Sequence, residues 1–307
     1  MYAFVNGEYL PDEKATISIH DRGFTNGEAV FDSTRTFGGR VFRLDEHLER
    51  LRKSLNYAEL DGARIAADAR QAVIGLLDRS KADIEAADDV MVNIYVSSGV
   101  SNQRMADRNS PPTLVVSLRK LEHAVMAPLY DSGIDLGVSL ANRHFQGAVD
   151  RRVKTTNRLA AIRSRWKSTR AVAANGPASG WTVVFGDDGS ISEAGGANIS
   201  IVEGNKLIRP LRYEALEGIS LETACELACG IGLEVVERKI MLYDLINADE
   251  VLITASSYQI LPIASIDGIP LGTKRDVFQK LIAAWVQLAG LDFVEQSRAH
   301  LRVAKPV

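Results

Sequence analysis

Lys154 has a residue type and a setting that could support covalent chemistry in this 307-residue chain, because it lies shortly after two cations, Arg151 and Arg152. A lysine attacks a carbonyl carbon only after losing its proton, so it needs a site where burial or neighbouring positive charge lowers its pKa. Taken alone, a lysine in a basic run is usually solvated at the surface. The local sequence therefore allows a nucleophile at Lys154 without requiring one.

Three further segments could bind an anionic ligand or approach a ligand closely. Glu193 comes two residues before Gly195-Gly196, where the backbone can approach a bound molecule. Arg50 lies among leucines at helical spacing, and Ser220 lies at a predicted helix start. An arginine fork and the backbone N–H groups of a helix start both bind phosphate well. The ordinary alternatives are a turn-flanking glutamate, an exposed helix arginine and a serine N-cap.

Composition and charge exclude several classes of protein. A chain of 307 residues with 46% hydrophobic residues is typical of a globular protein with one or two cores. A net charge of -3 gives no overall positive field for nucleic acid or an anionic membrane, and no segment has the length or pattern of a membrane span or signal peptide. We therefore expect a cytoplasmic protein with small-molecule partners. The histidines lack metal-ligand spacing, and Cys225 and Cys229 are predicted to be buried and unbridged.

Turn signals and hydrophobic spacing predict the elements that would position these residues. Asn6-Gly7 predicts a hairpin over residues 2–10, and Gly38-Gly39 predicts a second one that joins residues 30–37 to 40–42. A helix from about residue 45, with leucines at 44, 48, 51 and 55 on one face, would carry Arg50. A helix over residues 63–77 and strands over 90–97 and 113–118 complete a first domain, residues 1–120.

The second half of the chain is also predicted to mix strands and helices. Residues 121–133 lose their hydrophobic period, which suits a connector, and residues 134–307 form the predicted second domain. Its elements are a strand at 134–140, a helix at 159–166, a strand–turn–strand at 182–192, a hairpin at 199–208, a helix from 220 to 230 or 232, and strands at 233–238 and 250–254. The fold class is therefore mixed α/β, or α+β, in two domains.

No general motif for a nucleotide loop, nucleophile elbow or zinc site occurs, but six segments in order resemble the class IV aminotransferase family. They extend over residues 4–281 with Phe4 at the start, and their order and spacing are more specific than any one segment. The segments are Asp21-Arg22-Gly23-Phe24 with Gly27 and Phe31; Phe42 to Leu51; Val153-Lys154-Thr155-Thr156-Asn157; Ser192 to Asn198; Leu216-Glu217-Gly218-Ile219-Ser220; and Ala248-Asp249-Glu250-Val251 with Thr254. The resemblance implies a two-domain fold-type IV (D-amino-acid-aminotransferase-like) structure and the cofactor pyridoxal 5'-phosphate.

The resemblance also implies a role for individual residues. Lys154 matches the lysine to which the cofactor is attached and which moves the substrate's α-proton. Glu193 matches the carboxylate that keeps the cofactor's pyridine nitrogen protonated, so that the ring can accept electrons. The remaining implied cofactor-binding positions serve mainly the phosphate and are Arg50, Gly196, Ile219, Ser220, Ser256 and Ser257.

The substrate pocket is where the sequence departs from the family pattern. Asn26 stands where many relatives carry a tyrosine, and Ser98 stands where they often carry an arginine. A hydroxyl is a poor replacement for an arginine that clamps a carboxylate with two hydrogen bonds. Arg35 and Arg104 are the candidates to replace that clamp. The candidate apolar lining is aromatic: Phe24, Phe31 and Tyr95.

Several functions remain open within this resemblance. The leading hypothesis is transfer of an amino group from an apolar, branched-chain-like amino acid to a 2-oxo acid such as 2-oxoglutarate or pyruvate. Asp32 after Phe31 resembles (R)-selective amine transaminases, so a D-amino acid or (R)-amine donor is the alternative, and an aminodeoxychorismate lyase is the third. A non-enzymatic sensor of the cofactor would not need Lys154. The family builds its active sites at a dimer interface, which implies a homodimer or a larger homo-oligomer.

Overall fold

Residues 1–101, 110–138, 149–159, 162–163 and 181–304 are described by a computed structural model of the chain. The Cα positions group into two units, Met1–Leu121 with Val153–Asn157, and Glu122–Arg152 with Arg158–Val307. The predicted helix over residues 159–166 and the end of the predicted strand over residues 134–140 fall largely outside the described residues, as does Arg104. The two units are described separately below.

The first unit is built on one antiparallel sheet. Its strands are β1 (Tyr2–Val5), β2 (Glu8–Pro11), β3 (Ala29–Phe37), β4 (Arg40–Val41), β5 (Val90–Ser97) and β6 (Thr113–Lys120), in the order β2-β1-β6-β5-β3-β4. Both predicted hairpins are confirmed. Asn6 (φ 48°) and Gly7 (φ 104°) form the first turn, and Gly38 (φ 55°) and Gly39 (φ 75°) form the second. These positive dihedrals are what a two-residue primed turn requires.

Two long helices cover one face of this sheet. The helices of the unit are α1 (Arg22–Asn26), α2 (Leu44–Tyr57), α3 (Gly62–Arg79) and α4 (Lys81–Ala86). The predicted apolar face of α2 is confirmed, because Leu48, Leu51 and Leu55 are all buried in the core. Burying one leucine contributes about 1.5–3 kcal/mol relative to exposure. This packing, more than intrinsic helix propensity, holds α2 on the sheet.

A distant segment, Val153–Asn157, joins the first unit beside β3. Thr155 forms an antiparallel bridge with Val30, and the N–H of Thr156 donates to the carbonyl of Ala29 (3.1 Å). The predicted division of the chain placed this segment in the second domain, residues 134–307, whereas it belongs to the first unit. It brings Lys154 to the strand that follows α1.

The second unit contains a larger mixed sheet. Its strands are β7 (Ile134–Gly137), β8 (Trp181–Thr182), β9 (Val184–Phe185), β10 (Ile191–Glu193), β11 (Asn198–Glu203), β12 (Lys206–Arg209), β13 (Glu234–Glu237), β14 (Glu250–Ala255), β15 (Gln259–Ile266) and β16 (Ile269–Pro270). The main path is β13-β12-β11-β14-β15-β7-β8, with β10 paired to β11 and β9, and β16 paired to β15. The pairs β12/β13, β15/β7 and β7/β8 are parallel. The predicted strand–turn–strand, the hairpin of β11 and β12, and strands β13 and β14 are confirmed.

The helices of the second unit correct one prediction. They are α5 (His123–Ser132), α6 (Ile219–Gly230), α7 (Leu242–Asn247), α8 (Asp276–Ala289) and α9 (Phe293–Ala304). Helix α6 has the predicted extent. The interval predicted as a connector, residues 121–133, contains α5 instead, and Met126, Ala127 and Tyr130 of that helix are buried. The buried positions 123, 126, 127 and 130 have helical spacing, but His123 is polar, Val125 is exposed and Pro128 lies inside the helix, so the sequence shows no clear apolar period.

The two cysteines differ from each other, and the prediction that both are buried is wrong for one. Both are free thiols, but Cys225 is buried whereas Cys229 is exposed. Burial raises the pKa of Cys225 to about 11, so this thiol stays protonated at neutral pH. Spacing by four residues placed both thiols on similar sides of α6, but the helix ends at Gly230, where its surface opens to solvent.

Among the described residues, no single helix has the length and apolar composition to cross a bilayer. Helices α8 and α9, bent by 96° at their junction, meet that criterion only as a pair.

Candidate active site

Lys154 is held by its backbone against β3 and α2 of the first unit. Its carbonyl accepts the N–H of Phe31 (2.9 Å), and its own N–H donates to Oγ of Ser54 (3.2 Å). Its Nζ lies 4.5 Å from the centroid of the Phe31 ring. Two backbone hydrogen bonds therefore fix where the lysine emerges, and its amine lies over an aromatic face.

Phe31 is part of an aromatic pair on neighbouring strands. It lies opposite Tyr95 in the β3–β5 register, and the two rings stack with centroids 5.8 Å apart and planes inclined by 15°. Phe31 is buried, whereas Tyr95 remains 38% exposed. The surface next to the Lys154 amine is thus apolar, broad and open at the Tyr95 end.

Arg50 belongs to a buried ionic group that joins α2 to β3. Its Nε and Nη2 donate to the two carboxylate oxygens of Asp32, both at 2.8 Å. The Nδ1–H of His47 donates to Oδ1 of the same carboxylate (2.7 Å). Arg50 is 6% exposed, so the alternative of an exposed helix arginine is wrong. His47, Arg50 and Ser54 share one face of α2, being spaced by three and four residues.

The protonation states in this group follow from burial and mutual charge. Burial alone would raise the pKa of Asp32, but the charge of Arg50 and the hydrogen bonds from Arg50 and His47 hold it well below its usual range. Burial lowers the pKa of His47 and outweighs the opposing effect of Asp32. At neutral pH, Asp32 is therefore ionised and His47 is neutral with its proton on Nδ1.

Glu193 ends β10 in the second unit and is half-buried. Its Oε1 accepts the N–H of Leu216 (2.6 Å), and the side-chain amide of Asn198 donates to the carbonyl of the same residue (2.8 Å). Both polar groups of Leu216 are therefore held by side chains. This arrangement ties the carboxylate of Glu193 to the loop that leads into α6.

At two glycines near Glu193, neighbouring side chains occupy the space that a Cβ would need. A Cβ on Gly196 (φ 112°) would lie 2.7 Å from Nη2 of Arg158, and one on Gly218 would lie 1.8 Å from Oδ1 of Asn198. Both distances are far below an ordinary contact. Gly196 was predicted as a close-approach position, whereas no signal in the sequence indicates the packing of Asn198 on Gly218.

The start of α6 has the features of an anion site. Its N-cap residue, Gly218, makes no side-chain cap, so the first N–H groups, including those of Ile219 and Ser220, point from the positive end of the helix dipole. Opposite Asn198 in the sheet, the buried hydroxyl of Thr254 has no hydrogen-bond partner among the described residues. An unsatisfied buried hydroxyl and an uncapped helix start fit the phosphate of pyridoxal phosphate.

The predicted second phosphate loop is a turn at the end of β14. Ser256 and Ser257 are half-buried there, and the carbonyl of Ser256 accepts a hydrogen bond from Nε2 of Gln259 (2.9 Å). This bond orders the turn from inside the second unit. A contact of either hydroxyl with a phosphate remains a prediction.

Three further candidate substrate residues of the first unit, Phe24, Asn26 and Ser98, lie near the start of β3 and the end of β5. Phe24 is 71% exposed on α1. Asn26 donates to Oε1 of Glu28 (2.8 Å), and Ser98 hydrogen-bonds the same carboxylate. Burial opposes but does not prevent a lowered pKa of Glu28, because Arg22 and these two donors favour its ionised form. No signal in the sequence pointed to Glu28, which joins the side chains of Asn26 and Ser98.

Arg35 is not a surface arginine. It is 1% exposed, its Nε donates to the carbonyl of Thr36 (3.0 Å), and its guanidinium lies 4.3 Å from the centroid of the Phe37 ring. It shares a face of β3 with Phe31, because the two are four residues apart on one strand. A role for Arg35 in clamping a carboxylate stays a prediction.

Comparison with known proteins identifies one family. The family model described as amino-transferase class IV matches residues 29–266. The chain is 27% identical over 279 residues to a Methanocaldococcus jannaschii protein provisionally named a branched-chain-amino-acid aminotransferase, which covers 90% of this chain and 91% of that relative. It is 24% identical over 274 residues to the D-alanine aminotransferase of Bacillus licheniformis, covering 89% and 91%.

A solved structure agrees in fold. A Mycobacterium tuberculosis protein described as a hypothetical aminotransferase, in a form with bound alpha-ketoglutarate and PMP, matches with a TM-score of 0.77 over 94% of this chain and 99% of that chain, at 17% identity. At that identity the likeness concerns the fold alone. The fold class predicted from the sequence is confirmed.

Proposed function

This chain belongs to the amino-transferase class IV family, and on that premise we propose that it transfers the amino group of an apolar, branched-chain-like amino acid to a 2-oxo acid such as 2-oxoglutarate or pyruvate. One observation carries the choice of an apolar donor. The amine of Lys154 lies over Phe31, which stacks on the partly exposed Tyr95. A donor that reacts beside Lys154 would lay its side chain on this aromatic surface, where apolar groups gain most from burial.

Aminotransferases of this family use pyridoxal 5'-phosphate. When bound, this cofactor supplies an aldehyde for condensation with an amine and a ring that takes up the electron pair left by the departing α-proton. In the first unit, Lys154 would attach the cofactor and Arg50 would bind its phosphate. In the second unit, the N–H groups of Ile219 and Ser220 would bind the phosphate. The carboxylate of Glu193 would accept a hydrogen bond from the protonated ring nitrogen.

Lys154 would also carry the proton that transamination moves. Once the substrate amine has replaced it, its neutral Nζ can accept the proton of the substrate's α-carbon and then deliver it to the former aldehyde carbon of the cofactor, as a general base and acid. Its fixed backbone limits the search of the amine to side-chain rotation, which favours rapid transfer. Glu193 serves the same step at a distance, by keeping a positive charge on the ring nitrogen.

A second candidate rests on Glu28. Asn26 and Ser98 both hydrogen-bond this carboxylate, whose charge is paired with Arg22 (Nε–Oε2 2.9 Å), so neither side chain supplies a cation where relatives carry a tyrosine and an arginine. The lack of a cation there disfavours a donor carboxylate and favours an amine without one. The alternative activity is therefore transfer from an (R)-amine or a D-amino acid.

The test is a donor panel with pyridoxal phosphate present. Both enantiomers of leucine, valine, alanine and 1-phenylethylamine are offered with pyruvate and with 2-oxoglutarate, and Lys154→Ala is the inactive control. The proposal expects L-leucine or L-valine to give the highest kcat/KM. A higher value for (R)-1-phenylethylamine or a D-amino acid supports the second candidate. Pyruvate release from aminodeoxychorismate, without amino transfer, indicates a lyase.

The same preparation tests whether the chain is an enzyme at all. Bound cofactor attached to Lys154 absorbs visible light, and an aminotransferase loses this absorbance when an amino donor is added. A stable absorbance with every donor would indicate a protein that merely binds the cofactor. The homodimeric or larger assembly and the cytoplasmic location are further parts of the proposal, and light scattering after size exclusion measures the former.

A further inference from the structure

Asp32 is a buried carboxylate whose side-chain partners, Arg50 and His47, both lie on α2, and it also accepts the backbone N–H of Ser33 (2.7 Å). It is 0% exposed, and the Arg50 side chain that pairs with it is 7% exposed. Replacing a buried ion pair by apolar side chains of similar volume is often neutral or stabilising. Stability therefore does not explain why this position of β3 carries a charge.

The geometry of the pair restrains Arg50 strongly. Two parallel N–H···O bonds, from Nε and Nη2, fix the plane of a guanidinium in a way that one bond does not. His47 holds the carboxylate from a third side through Oδ1. The long arginine side chain is thus ordered before any ligand arrives, which removes an entropic cost from later binding.

The same two elements also hold Lys154, but through different groups. Ser54, one turn after Arg50 on α2, accepts the Lys154 N–H, and Phe31, the neighbour of Asp32 on β3, donates to the Lys154 carbonyl. These contacts do not involve the side chain of Asp32. A change at Asp32 can therefore alter Arg50 while the backbone contacts of Lys154 remain.

We infer that Asp32, oriented by His47, is the positioning residue that fixes the Arg50 guanidinium for the phosphate group of the cofactor. The inference rests on the proposed function in taking Arg50 as a phosphate ligand. It concerns the phosphate end of the cofactor and not the reactive aldehyde end.

The experiment compares pyridoxal phosphate with pyridoxal, which has the same aldehyde and ring but no phosphate. Dissociation constants for both are measured by visible absorbance and equilibrium dialysis in wild type, Asp32→Asn and Asp32→Glu. Glu49→Gln is the matched control, because it removes the exposed partner of Arg52 on the same helix. The readout is the dissociation constant of pyridoxal divided by that of pyridoxal phosphate, because this ratio expresses the contribution of the phosphate to binding.

For Asp32→Asn we expect pyridoxal phosphate to bind about tenfold more weakly, equivalent to about 1.4 kcal/mol, and pyridoxal to bind as in wild type. Asp32→Glu restores the charge and should recover part of this loss. Glu49→Gln should leave both constants unchanged. In an Arg50→Ala background, Asp32→Asn should cause no further change in the ratio, because the residue through which it acts is gone.

Three results would overturn the inference. An equal loss for both ligands would mean that Asp32 has a general structural role, and tighter binding of pyridoxal phosphate would mean that its charge repels the phosphate. Unchanged constants would mean that Arg50 is ordered without it. If Asp32→Asn does not fold, His47→Leu is used instead, because it removes the hydrogen bond from His47 to the carboxylate. This variant should also weaken the binding of pyridoxal phosphate relative to that of pyridoxal.

Binding keeps this test separate from the proposed function. A wild type that binds pyridoxal phosphate far more tightly than pyridoxal, yet transfers no amino group, contradicts the proposed activity and leaves the Asp32 comparison valid. If wild type transfers an amino group but Asp32→Asn has the same ratio of constants as wild type, the proposed activity stands and the inference about Asp32 fails.

Discussion

The proposed role of Glu193 requires a negative charge as well as a hydrogen-bond acceptor of the right size. One carboxylate oxygen already accepts the N–H of Leu216, and an amide oxygen can accept the same bond. Glu193→Gln should therefore keep the loop before α6 in place while removing the charge that stabilises a protonated ring nitrogen. We expect the cofactor to stay bound and the half-reaction with a good amino donor to slow about a hundredfold, or roughly 3 kcal/mol.

The measurement is a single-turnover decay of cofactor absorbance after mixing with donor. Glu234→Gln is the matched control, because Glu234 is 62% exposed and pairs only loosely with Lys206 at 3.8 Å. It should react as wild type does. A rate for Glu193→Gln within about twofold of wild type, well below the tenfold that 1.4 kcal/mol represents, would remove Glu193 from the proposed site.

At this scale the sequence identified residue types better than their partners. Lys154, Glu193 and Arg50 stand out through family motifs, and their positions in the structure are compatible with the proposed roles. The contacts of Asp32 with His47 and Arg50 could not be inferred, because a buried ion pair between a strand and a helix leaves no periodic signal. The polar spacing of His47, Arg50 and Ser54 was a usable sign of a polar helix face turned inward.

At the scale of elements, α6 and its preceding loop depend on one close contact. Gly218 has an ordinary φ of -73°, so its need for glycine comes from space and not from the backbone. A Cβ there would lie 1.8 Å from Oδ1 of Asn198, so Gly218→Ala must displace the amide that holds the carbonyl of Leu216. We expect a loss of about 1–3 kcal/mol in unfolding free energy and weaker retention of pyridoxal phosphate.

Gly230→Ala is the control for this change, because it lies at the other end of the same helix and a Cβ there meets nothing within 4 Å. Both variants are compared by denaturant unfolding and by dialysis of the cofactor. If Gly218→Ala matched Gly230→Ala in both measurements, the contact between Gly218 and Asn198 would not support the loop.

Elements with a strong local signal were predicted, with helix α8 as an exception, and those with mixed signals were not. Primed turns at Asn6-Gly7 and Gly38-Gly39 and the leucine face of α2 follow from local rules. Helix α5 carries Pro128, and its buried face includes the polar His123, so its pattern indicated a connector. Helix α8 could have been predicted, because Phe278, Leu281 and Trp285 are spaced by three and four residues.

For the whole molecule, the family follows from motif order along most of the chain, but the substrate does not. Six segments resemble the family, whereas Asn26 and Ser98, the two predicted departures from it, both hydrogen-bond Glu28. Specificity depends on a few side chains that tolerate change without loss of fold. The placement of Val153–Asn157 in the first unit could not be predicted either, because it depends on pairing with a strand more than a hundred residues away in the chain.

The stability of the molecule should fall as the pH decreases, and His47 should cause part of the fall. Burial lowers the pKa of His47 below its ordinary value of 6.5, so below that pH the unfolded chain takes up a proton that the folded chain does not. Unfolding free energy then decreases with decreasing pH. The depressed pKa of Asp32 acts in the same direction, but only below its ordinary value of 3.8. Between pH 7 and 5, His47 is therefore the relevant member of the pair.

His47→Gln tests this contribution, because glutamine can still donate to Asp32 but has no proton to gain. We expect the variant to be less stable than wild type at pH 7.5 and to lose less stability on acidification, with a difference in slope of up to about 1.4 kcal/mol per pH unit. Unfolding by denaturant at pH 7.5, 6.0 and 5.0 measures it, and His20→Gln, at an exposed position, should parallel wild type. A difference between His47→Gln and wild type that stays constant over this range would show that His47 takes up no extra proton on unfolding, and its neutral buried state would have to be abandoned.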